Sequence, residues 1–61
     1  MAGNSEDAAV IRQLLETAKS LKEQATIAGR AQQHQLSEAF ADKARRLEEQ
    51  AQSIYDLAIR T

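Results

Sequence analysis

Two apolar seams of helical spacing run along this chain, and they do not share a phase. The first is Ile11, Leu14, Ala18, Leu21, Ala25 and Ala28, spaced 3, 4, 3, 4, 3. The second is Phe40, Ala44, Leu47, Ala51, Ile54 and Ala58, spaced 4, 3, 4, 3, 4. Each is a heptad pattern, with Ile11 at a and Leu14 at d in the first. Carrying the first frame forward would put Gln32, Gln35, Asp42, Glu49 and Asp56 in a core. Burying three acids in that way is expensive, so one continuous coiled coil is excluded and the seams belong to two helices.

Folding the chain so that partners add to 65 brings every seam position onto a seam position. Ile11 meets Ile54, Leu14 meets Ala51, Ala18 meets Leu47, Leu21 meets Ala44, and Ala25 meets Phe40, while Ala28 and Ser37 close the loop end. Each seam pair joins an a to a d, as antiparallel packing requires. Four of the six pairs set a large residue against alanine, which fills layers evenly and lets the backbones approach closely. The expected fold is therefore all-α: one antiparallel two-helix hairpin spanning 1–61, rather than a long helix bent near Gly29.

The composition fits helices, with no proline, two glycines and abundant Ala, Gln, Glu, Leu, Arg and Lys. Asn4 is a good N-cap, with Asp7 placed to reach back and Glu6 and Asp7 favouring the positive end of the dipole. The first helix is expected over about 5–28, with Gly29 as the left-handed C′ residue. A loop over about 29–36 follows. The second helix is expected over about 37–60, with Ser37 as N-cap and Leu36 as a staple against Ala41, although the glutamines of 32–35 could extend it backward. Charge pairs at i, i+4 (Arg12–Glu16, Lys19–Glu23, Asp42–Arg46, Arg45–Glu49 and Asp56–Arg60) mark solvated faces.

Of the 26 hydrophobic residues, 12 are alanine and one is Met1, leaving 13 bulky apolar side chains. That is little for a lone core in a chain of 61 residues, so a monomer is expected to be marginal and a partner is implied. Val10, Leu15, Tyr55, Leu57 and Ile59 lie off the seams and gather at the open end of the hairpin. They are the expected interface, closing a homodimer into a four-helix bundle or covering another helical protein. Ile27 and Leu36 also lie off the seams.

Chemistry is sparse. His34 is the only histidine, and with Glu38 it offers two of the three or four ligands a metal site needs, in a chain without cysteine. Adjacent carboxylates such as Glu48 and Glu49 point apart on a helix. Ser5, Ser20, Ser37 and Ser53 have no base at a recognisable spacing, and no glycine-rich phosphate loop exists. No catalytic, cofactor-binding or metal site is expected. Eight basic residues balance nine acidic ones, and the tightest basic group, Lys43, Arg45 and Arg46, is interrupted by Asp42 and followed by Glu48 and Glu49. Nucleic acid is thus not the expected partner. No signal pattern or membrane-length apolar run occurs, and a cytoplasmic location is expected.

Around Ala51, Ile54, Tyr55 and Ala58, the layering resembles that of the Rop-like plasmid RNA-binding hairpins, which dimerise into four-helix bundles. The resemblance implies a homodimer and an RNA-binding face. Here the first helix carries no exposed aromatic, and its Arg12, Lys19 and Lys22 are balanced by Glu6, Asp7, Glu16 and Glu23. In length and Ala/Gln content the chain is also similar to the hairpin cochaperones of type III secretion needle subunits. That likeness implies a different protein as partner. The expected function is a non-catalytic interaction module that self-associates as scaffold, regulator or assembly factor, with a chaperone or adaptor role as the alternative.

Overall fold

The computed structural model describes the backbone of residues 2–60 and the side chains of 6–60. Two helices, α1 (Ala2–Arg30) and α2 (His34–Arg60), pack antiparallel as a hairpin with no strand among the described residues. The seam decides the packing. Ala18, Ala25 and Ala28 of α1 and Ala44 and Ala51 of α2 are buried. Ile11, Leu14, Leu21, Phe40, Leu47, Ile54 and Ala58 are half-buried along the same line. Among the described residues no large side chain is fully enclosed, because the two helices form a single layer, 47 × 15 × 9 Å. Asp7, one heptad before Leu14, is half-buried and carries the seam into the open end as a polar residue.

The helices are longer and the loop shorter than expected. α1 has already begun at Ala2, so Asn4 lies inside the helix rather than capping it, and Glu6 and Asp7 fall beyond its first turn. Residues 2–4 contain no proline, and the one glycine there costs only about 1 kcal/mol in a helix. At the other end α1 runs through Gly29, which has no positive φ. The left-handed residue is Gln32 instead, at φ 63°. The Gln33 N–H donates to the Ala28 carbonyl at 2.9 Å, and the Gln32 N–H donates to that of Gly29 at 3.1 Å. These are the two hydrogen bonds of a Schellman motif with Gln32 at C′.

The turn passes directly into α2. The Gln33 carbonyl accepts the Ser37 N–H at 2.9 Å, which makes Gln33 the N-cap residue. Ser37 is consequently inside the helix, and its hydroxyl donates to the Ala25 carbonyl of α1 at 2.8 Å. Leu36 sits in the first turn rather than ahead of it, so the staple against Ala41 does not form. A Cβ on Gly29 would come within 3.5 Å of Ser37 Oγ, an ordinary contact.

Register is held on the flank as well. Lys22 Nζ pairs with Glu48, and the two numbers add to 70, the value for e positions facing each other when the seam adds to 65. The i, i+4 pairs read from the sequence are not the ion pairs seen. Among the described residues these are Lys22–Glu48 across the helices and Asp42–Arg45, three apart, at 2.8 Å. Asp56 accepts from Gln52 Nε2 at 3.0 Å. Exposed partners four apart gain a few tenths of a kcal/mol each, too little to hold long side chains against water.

Candidate interaction surface

At 100° per residue, positions beside the seam fall on one of two flanks of the hairpin. Leu15 and Tyr55 share one flank with the Lys22–Glu48 pair. With Ile11 they line two adjoining shallow depressions, one completed by Glu48, Ala51 and Gln52, the other by Ala8, Arg12, Glu16 and Lys19. Ile59, one turn on from Tyr55, lies at the outer edge of this flank and is exposed. Val10 and Leu57 lie on the opposite flank, again exposed.

The five residues at the open end are therefore at one level of the hairpin but not on one face. Sequence position sets the level; only the helical phase separates the flanks. Val10 and Leu15 are about 140° apart around α1, and Tyr55 and Leu57 about 160° apart around α2. Two further apolar side chains belong with Val10 and Leu57. Ile27 is 64 % exposed and Leu36 44 % exposed, both at the loop end. They line a depression with Gln24, Ala28, Ala31 and Phe40. Their heptad positions, c for Ile27 and g for Leu36, carry the signal that places them on this flank.

Polar candidates stay apart. His34 opens α2 beside Gln32, Gln33 and Gln35, and both it and Glu38 are exposed. Among the described residues no three His, Cys, Asp or Glu side chains are grouped to hold a metal ion. Arg45 is occupied by Asp42, while Lys43 and Arg46 flank an open depression with Ala39 and Leu47. Among the described residues no helix is long and apolar enough to cross a membrane.

Exposed apolar side chains and the shallow depressions between them are thus the main surface features of the described residues. No known protein family, curated protein or solved structure matches the chain.

Proposed function

We propose that this chain is a non-catalytic protein–protein interaction module that self-associates, two hairpins forming a four-helix bundle that serves in scaffolding, regulation or assembly. One observation carries the reading: the hairpin is all surface. It exposes 4932 Å², where a compact monomer of its 6.7 kDa mass exposes about 3,900 Å². Its radius of gyration is 14.1 Å, against about 10.5 Å for a globular chain of this length. The surplus, about 1,000 Å² per chain, is what each partner of a permanent homodimer buries, since such interfaces start near 2,000 Å² in total. Seven large apolar side chains, from Val10 to Ile59, are exposed on the hairpin.

A second reading rests on the Ile11–Leu15–Tyr55 groove. Its apolar floor is edged by Arg12, Glu16 and Lys19, which suits an amphipathic helix of another protein carrying charges of both signs at its margin. In that case the chain acts as an adaptor or chaperone.

Leu57→Glu tests the first reading. Leu57 is 64 % exposed in the hairpin, so in a monomer the change costs no more than about 0.5 kcal/mol. Self-association predicts that it lowers sedimentation mass and helicity together. Unchanged mass and helicity in the variant would contradict association through Leu57, and a helical monomer of the unaltered chain at every concentration would contradict the reading.

A further inference from the structure

The flank that holds Val10 and Leu57 is self-complementary. On α1 it passes through Val10, Gln13, Thr17, Ser20, Gln24 and Ile27, again with 3–4 spacing, and ends at Ala31. No charge interrupts that stripe, in a chain of which 28 % is charged. On α2 the same flank carries Leu36 and Leu57 near its ends, with Gln50, Ser53 and the basic Lys43, Arg46 and Arg60 along it. Large apolar side chains therefore stand at both ends, Val10 and Leu57 at the open end and Ile27 and Leu36 at the loop end. Small and uncharged groups lie between them along α1.

We infer that this flank binds a second copy of the chain turned end for end, so that α1 packs on α1 and α2 on α2. This rests on the self-association proposed above and specifies its face and orientation. On α1 the partners add to 37: Val10 meets Ile27 of the second copy, Gln13 meets Gln24, and Thr17 meets Ser20. On α2 they add to 93: Leu36 meets Leu57, and Lys43 meets Gln50. One two-fold axis serves both helices. The α1 midpoint lies between 18 and 19 and the α2 midpoint between 46 and 47, and these are opposite each other in the register that adds to 65. Closed two-fold symmetry of this kind is the commonest way for small chains to assemble.

All four large side chains of the flank then meet a large partner. The other two-fold, along the hairpin axis, sets α1 over α2 of the second copy. It pairs Val10 with Leu57 but leaves Ile27 over Ala39 and Leu36 over Ala31. Thr17 and Ser20 at the centre of the end-for-end arrangement let the two α1 backbones approach as the alanines do within the hairpin. Lys43 and Arg46 of both copies come to the middle of the assembly, so added salt tightens the dimer by screening them. The Leu15–Tyr55 groove stays open on the outside.

Cysteine cross-linking tests the inference, since the chain has no cysteine of its own. All substituted positions are exposed, so the hairpin is retained. Val10→Cys mixed with Ile27→Cys is oxidised in parallel with Val10→Cys mixed with Leu57→Cys, and with Leu15→Cys mixed with Tyr55→Cys. Disulfides need Cα atoms within about 7 Å, so only facing pairs link rapidly. The Val10/Ile27 mixture is expected to form the covalent heterodimer at least several-fold faster than the others. Faster linkage of Val10/Leu57 would overturn the orientation, and faster linkage of Leu15/Tyr55 would overturn the face. Equal rates in all three, with a dimer seen by sedimentation, would overturn the inference while leaving self-association standing. A monomer at every concentration would remove the self-association reading as well.

Discussion

The hydroxyl of Ser37 in α2 donates a hydrogen bond to the backbone carbonyl of Ala25 in α1, 2.8 Å away. It joins a side chain of one helix to the backbone of the other, and it lies just above the turn. Ser37→Ala removes the donor and leaves the Ala25 carbonyl its helical partner, so the expected cost is about 1 kcal/mol. Urea unfolding of the two proteins measures it. A loss near zero would mean that the bond does not hold the loop end in solution.

The turn stores a second, opposite opportunity. Gln32 is at φ 63°, a conformation that costs a residue with a Cβ about 1 kcal/mol and glycine almost nothing. Gln32→Gly is therefore expected to stabilise the hairpin by about 1 kcal/mol, read as a higher denaturation midpoint. Destabilisation would show that the Schellman turn is not the loop's conformation.

Gly29 makes the complementary case. It is helical, without positive φ, and an added Cβ would make only an ordinary 3.5 Å contact with Ser37 Oγ. Gly29→Ala should stabilise by about 0.5–1 kcal/mol through helix propensity. If glycine were instead the left-handed C′ residue, the same substitution would destabilise.

Ala44 is completely buried where the helices approach. Ala44→Leu puts three extra carbons between backbones that alanine allows to come close, at an expected cost of about 1–3 kcal/mol. Thermal unfolding followed by circular dichroism checks this. A neutral result would indicate that the seam is looser than the register implies.

The Lys22–Glu48 pair spans the two helices, yet both side chains remain well exposed. Lys22→Gln is expected to cost no more than about 0.5 kcal/mol at low salt and nearly nothing at high salt. A larger, salt-insensitive loss would mean that the pair is shielded from water, as it would be inside an assembly on that flank.

What could be read from the residues followed from what is periodic in them. The two seams announce themselves because alanine and large side chains recur at 3–4 spacing, and their mismatch of phase already requires a turn. The turn itself left no such mark. Gln32 adopts a left-handed conformation that glycine favours, and the bonds that hold it there are backbone bonds from Gln32 and Gln33. Ser37 looks like an N-cap by local preference, whereas its hydroxyl has a partner twelve residues earlier that exists only once the helices are in register. The exposed apolar residues were legible as a group by their level, and their split into two flanks is carried by heptad position rather than by level. Val10 and Leu15 share a level, and their separation around the helix puts them on opposite sides.

Self-association is the central claim, and sedimentation equilibrium with helicity followed over the same dilution series tests it most directly. The surplus surface predicts twice the chain mass of 6.7 kDa at high concentration, with helix lost as the dimer dissociates. A fully helical monomer throughout the series would contradict it, because a single layer of two helices would then be sufficient on its own.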